Sequence, residues 1–223
     1  MSLTNKLAES RINAYFDLME TRPELFPMKS DISTDKDSIM DYAIKNDKAV
    51  GVVYESPWHY LIVDVIVDSN GSPHHTYERY VSRTEQAGGV IVPILEDGRI
   101  CLLEHYRYTL GRSILELPRG FAEEGESGWE AAVRELAEEL GAVPVEITVL
   151  GQIIPDSGVN GNEVTIVKAK IESYELGQHD ADEHIDGVRL VTLDELDEMI
   201  ASDKIIDGFT LAARGMLAAE TKR

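Results

Sequence analysis

The chain has 223 residues, 43% apolar and 28% charged, enough for one substantial core and a small accessory region. Its 41 acidic side chains outnumber 21 basic ones, a formal net charge of -20. That balance excludes a broad nucleic-acid-binding face, which needs basic patches. No apolar run is long enough to span a membrane, and the first residues lack the basic segment and apolar block of a signal peptide, so no membrane partner is expected.

In chain order, residues 1 to about 45 read as helical. Leu7, Ile12, Tyr15, Phe16 and Met19 fall at roughly helical spacing, Pro23 breaks the pattern, and a second short helix runs from Asp37 to Asn46. From Val50 the period becomes strand-like: "VGVVYES" and "WHYLIVDVIVD" are β-branched, Asp64 interrupts the longest apolar run, and "DSNGSP" supplies an Asn-Gly turn into "HHTYERYVSR". A second hairpin follows in "GGVIVPIL", "EDGR" and "ICLLEHYRY", then a short strand, "SILELP". Cys101, the lone cysteine, sits in an apolar run and reads as a packed small side chain, which leaves the cytoplasm as the expected compartment. Beyond residue 142 come the strands "EITVLGQII" and "EVTIVKAKI", the loop "PDSGVNGN" between them, an acidic loop, a strand near "GVRLVT" and two helices. Strands alternating with few helices indicate α/β or α+β layers. The six histidines, His59, His74, His75, His105, His179 and His184, show no helical metal spacing and pair with no cysteine, so zinc is not expected; His74 and His75 belong at the surface.

The most informative stretch is "GFAEEGESGWEAAVRELAEELGA", residues 120–142. Ser127 and Glu130 form a capping box that starts a helix at Gly128, and Gly141 ends it. Trp129, Val133, Leu136 and Leu140 make an apolar stripe, while Glu135, Glu138 and Glu139 at i, i+3 and i+4 share the opposite face. As helix surface alone, the acids fit a solvated face. Three details favour a divalent cation: no lysine interleaves with them, they occupy the half where the helix dipole disfavours negative charge, and hard cations seek clustered carboxylates. The residues by themselves leave both readings open.

The spacing decides between them. Gly120, five residues, Glu126, seven residues and "RELAEELGA" resembles the box of the Nudix hydrolase family, G-x5-E-x7-R-E-U-x-E-E-x-G-U, departing only at Ala142, where a larger aliphatic residue is usual. The resemblance implies an α/β fold: a Nudix-type α/β/α sandwich with a mixed sheet, here occupying residues 86–223. Ahead of it would stand a helical extension (residues 1–48) and an antiparallel β region (49–85) of the kind that exchanges between two subunits, hence a homodimer. It further implies hydrolysis of a nucleoside diphosphate linked to another group, with Mg2+, or Mn2+, held by Glu135, Glu138, Glu139 and the main-chain carbonyl of Arg119. Glu126 and Arg134 would support these acids. Metal also reconciles an acidic chain with an anionic, small-molecule substrate.

The flanks narrow the resemblance to the ADP-ribose and nucleotide-sugar pyrophosphatase branch. His105-Tyr106-Arg107 and Glu116-Leu117-Pro118-Arg119-Gly120 resemble its Q-Y-R and E-L-P-A-G patterns, with His105 in place of Gln and Arg119 in place of a small residue. Arg107 and Glu116 become candidate substrate contacts; as a strand-edge residue, Arg107 fits a surface ion pair equally well. After the glycine-rich loop, Glu163 matches the branch's general base, with Glu138 as alternate. The expected reaction is cleavage of ADP-ribose to AMP and ribose 5-phosphate. GDP-mannose or ADP-glucose is the alternative substrate, and a Nudix-fold sensor that binds ADP-ribose without cleaving it is the alternative from another class. Such sensors usually lose box carboxylates, and all are present here.

Overall fold

The computed structural model describes residues 3–28, 30–84, 88–176 and 184–220. They form two compact units, residues 1–83 with 156–161, and residues 84–155 with 162–223. His179 and most of the acidic loop lie outside the described residues.

In the first unit, α1 (Leu3–Thr21) is followed by a 3-10 turn at Pro23–Leu25 and by α2 (Lys36–Asn46), whose cap Asp35 accepts from the Asp37 amide. Ile12, Tyr15, Leu18 and Met19 give α1 one buried face, whereas Leu7, expected on that face, is exposed. The helices share a core with a three-stranded antiparallel sheet in the order β1 (Gly51–Glu55), β2 (His59–Val67), β3 (Pro73–Ser82). The helical and strand segments, read separately in the sequence, are therefore one packed body. Asp64 does not break β2, because the buried carboxylate is fully partnered. Arg79 Nε donates to it at 2.6 Å and Tyr15 OH at 2.7 Å. The Arg79 guanidinium also stacks over Phe26, 4.9 Å from the ring centroid. Burial and the neighbouring Asp64 charge raise the Tyr15 pKa far above its usual value. The loop 156–161 belongs to this unit too: the Tyr80 amide donates to the Val159 carbonyl at 2.7 Å, and Tyr77 OH donates to the Gly158 carbonyl.

The second unit is built on a mixed sheet of β4 (Gly89–Leu95), β5 (Ile100–Arg107), β6 (Arg112–Glu116), β7 (Arg119–Gly120), β8 (Pro144–Ile153), β9 (Val164–Ile171) and β10 (Ile185–Val191). Its order is β10-β5-β4-β9-β8, with β6 paired to β5 and β7 to β4; the β4–β9 pair is parallel. The central strands are apolar on both faces, as a sheet covered on both sides requires. Val90, Val92, Ile100, Leu102 and Ile166 pack with α4 (Leu193–Ala201) and α5 (Gly208–Glu220). The alternate residues Ile91, Cys101, Leu103, Val167 and Ala169 pack under α3 (Gly128–Leu140). Cys101 is wholly buried, and burial pushes its thiol pKa up to about 11. The layers are helix, sheet, helix.

Candidate active site

Helix α3 begins with the expected reciprocal cap between Ser127 and Glu130 and ends at Gly141, whose φ of 54° is left-handed. Its orientation departs from the sequence reading in two respects. Leu136 and Leu140 are buried with Ala131 and Ala132, but Trp129 remains 43% exposed. The three acids do not share a solvated face either: Glu135 and Glu139 are buried, and only Glu138 projects outward. The cause is β7, which passes over the helix flank. The Arg119 amide donates to Glu139 Oε2 at 3.2 Å. A Cβ on residue 120 would lie 1.8 Å from Glu135 Oε1, so any larger residue here would have to displace the carboxylate that Arg134 holds.

One guanidinium holds the arrangement together. Arg134 donates to Glu135 and to Glu138 at 2.7 Å each, to Glu126 at 3.2 Å, and to the Phe121 carbonyl at 2.7 Å. The bonds to Phe121 and Glu126 tie the loop 120–127 to the helix. Although burial disfavours its charge, the bonds to Glu126, Glu135 and Glu138 raise the Arg134 pKa further.

Next to this cluster lies a second one. Glu116 at the end of β6 is fully buried and accepts from Arg107 on one oxygen and from Arg119 on the other, the latter at 3.3 Å; His105 Nδ1 lies 3.2 Å away. Burial raises the Glu116 pKa, but the adjacent His105 ring, the charges of Arg119 and Arg107 and the Arg107 hydrogen bond outweigh it and hold the carboxyl at about 2. Arg119 also stacks over Phe209, 4.6 Å from the ring centroid, and lies 3.7 Å from Asp207. Asp207 accepts from the Thr210 amide and hydroxyl at 2.8 Å each, and Thr210 Oγ1 accepts from the Leu117 amide at 3.1 Å. Sequence reasoning missed Asp207, Phe209 and Thr210. The available signal was Asp207 three residues ahead of Thr210 at a helix start, a capping pattern that says nothing of its distant partner. Glu163 is exposed, immediately ahead of β9.

Glu135, Glu138, Glu139 and the Arg119 carbonyl are all hard oxygen donors, the kind divalent Mg2+ or Mn2+ takes. Among the described residues, no three acidic, histidine or cysteine side chains already surround one point, since Arg134 draws Glu135 and Glu138 to itself. The set fits a hard cation in chemistry and in closeness to the glycine backbone, with the exposed Glu138 as the member least constrained by packing.

The sequence pattern of the NUDIX domain matches residues 85–209, more than half of the chain. The chain belongs to the NUDIX domain family. This Nudix hydrolase is 32% identical over 155 residues to the methanol dehydrogenase activator of Bacillus methanolicus, covering 69% of this chain and 81% of that protein. It is 25% identical over 154 residues to the ADP-ribose pyrophosphatase of Bacillus subtilis (strain 168), covering 68% and 83%. With the ADP compounds hydrolase NudE of Escherichia coli (strain K12) it shares 30% identity over 113 residues, half of this chain and 59% of that one. A solved structure described as an ADP compounds hydrolase superposes with a TM-score of 0.62 at 24% identity, over 77% of this chain and 90% of that chain, which establishes a shared fold. The chain is thus a Nudix hydrolase related to pyrophosphatases of ADP-ribose and ADP compounds.

Proposed function

We propose that this Nudix hydrolase is a divalent-metal-dependent pyrophosphohydrolase that cleaves ADP-ribose to AMP and ribose 5-phosphate. The observation that carries the reading is the cluster of acids gathered round Arg134, lying directly under the Gly120 backbone. The ADP-ribose pyrophosphatase among its relatives points to the same substrate class. Glu135, Glu138, Glu139 and the Arg119 carbonyl would hold Mg2+ or Mn2+. The ion supplies positive charge to the diphosphate oxygens and lowers the pKa of water.

The remaining work falls to the chain. Arg134 and Glu126 hold the loop 120–127 against α3, which keeps the carboxylates at fixed separation. Arg107 contacts a phosphate oxygen, and Glu116, buried beneath it, acts on the substrate through that guanidinium. Glu163 takes a proton from the attacking water, with Glu138 as the alternate base. Water oxygen bonds to one phosphorus, the bridging P–O bond breaks, and the second phosphate leaves with the electron pair. We further propose a homodimer acting in the cytoplasm, on the resemblance of the N-terminal β region to segments that exchange between subunits.

The test is a substrate panel of ADP-ribose, GDP-mannose and ADP-glucose with Mg2+ and with Mn2+, with products read by mass spectrometry. AMP and ribose 5-phosphate from ADP-ribose at the highest kcat/KM are expected. Preference for another nucleotide sugar replaces the substrate, and no turnover of any diphosphate-linked nucleotide overturns the reading.

A further inference from the structure

At residue 119 the chain departs from the pattern it resembles, placing an arginine where a small residue is usual. The main chain there serves the acid cluster through the Arg119 amide bond to Glu139. The side chain goes elsewhere. Its NH2 group reaches Glu116 Oε2, while Arg107 takes Glu116 Oε1, so two guanidiniums flank one buried carboxylate. A single arginine is enough to pair a carboxylate bidentately. Here two guanidiniums converge on Glu116, and Asp207, whose Oδ2 caps Thr210, adds its Oδ1 3.7 Å from Arg119 as a second carboxylate.

Both guanidiniums retain unused donors. Arg107 Nε and Arg119 Nε are buried and have no hydrogen-bond partner among the described residues, although the two side chains as wholes are each 27% exposed. An unpaired buried N–H is unfavourable. The Phe209 ring under Arg119 and the Glu116 carboxylate hold the planar group in place before any ligand arrives. The Nε atoms are closed to solvent, and it is the exposed part of each side chain that a ligand can reach; two fixed guanidiniums side by side suit an anion with several oxygens, and phosphate is the anion such forks recognise.

We propose that Arg119 is a specificity-determining residue: with Arg107 it forms a two-guanidinium fork, set by Glu116, that grips phosphate oxygens of the diphosphate substrate. This rests on the pyrophosphohydrolase reading above and adds to it a side chain whose main chain has a separate role. Substitution at 119 therefore separates the two, since any residue keeps the carbonyl.

The experiment compares the wild type with Arg119→Met, which keeps an apolar side chain against Phe209 but no charge, and with Arg119→Lys, which keeps the charge without the fork. KM for the best diphosphate substrate should rise about tenfold or more in Arg119→Met, and Arg119→Lys should recover only part of it. The Mg2+ concentration for half-maximal rate should stay where it is. Independently, ADP titrated calorimetrically in the absence of metal should bind the wild type and bind Arg119→Met about tenfold more weakly. Unchanged KM and ADP affinity in Arg119→Met overturn the proposal, as does failure of the wild type to bind ADP. A shift in Mg2+ requirement with KM unchanged also overturns it, assigning the residue to the metal loop. A wild type that binds ADP through Arg119 but hydrolyses nothing removes the hydrolase reading and leaves the fork standing.

Discussion

The pairing of Asp64 in the first unit and the acids of α3 in the second handle negative charge in opposite ways. In the first, Asp64 receives Arg79 and Tyr15 and is neutralised within its own core. In the second, Glu116 is matched in the same way by Arg107 and Arg119, but along α3 the acids crowd: Glu126, Glu135 and the exposed Glu138 all take Arg134, and Glu139 takes the Arg119 amide. A matched buried pair serves the fold, whereas several acids crowded round one guanidinium carry repulsion that a bound cation would relieve. Loss of the first should therefore cost stability, and loss of the second should cost activity.

The largest effect is expected from Asp64→Ala, which leaves the buried Arg79 without its counter-charge and should destabilise the first unit by about 3–5 kcal/mol in denaturant unfolding. A change below ~1 kcal/mol would erase the contrast between the units. Next come Glu139→Gln and Gly120→Ala, one removing a proposed ligand and the other driving a methyl into Glu135. Each should lower kcat/KM by about a hundredfold or more, while the melting temperature moves little in Glu139→Gln. Glu163→Gln should lower kcat by about 10²–10⁴-fold with metal affinity retained; near-normal turnover would move the base to Glu138.

A smaller effect concerns acid. The folded Glu116 carboxyl, at about 2, lies below the ordinary value of about 4.3. Its pairing therefore stabilises fully above that ordinary value and is lost as pH falls toward 2. Unfolding free energy should drop across this window in the wild type and drop less steeply in Glu116→Gln; equal slopes would show that Glu116 contributes nothing to the titration. Smallest is Trp129→Ala. Because the ring is 43% exposed, the loss should stay below about 1 kcal/mol by thermal denaturation, against roughly 2–5 kcal/mol for Leu136→Ala on the same helix.

Much of this architecture is legible in the chain. The caps at Ser127 and Gly141, the Asn70-Gly71 turn and the two-faced apolar strands each depend on neighbours a few residues apart, and each appears where its spacing places it. The orientation of α3 was less legible. Its pattern puts Trp129 inside and the acids outside, yet β7 covers Glu135 and Glu139, and Trp129 is left partly exposed.

By itself, then, the sequence determined that Glu135, Glu138 and Glu139 stand on one helix behind a glycine loop, because a 3.6-residue period converts spacing into proximity. Only the tertiary structure decided which of them are buried. It also brought Arg107, Glu116 and Arg119 together with Asp207 and Phe209, about 90 to 100 positions further along. No local period encodes that meeting. It depends on α5 packing against one face of the sheet, and so on the core that Ala213 and Leu217 share with Val90 and Leu102.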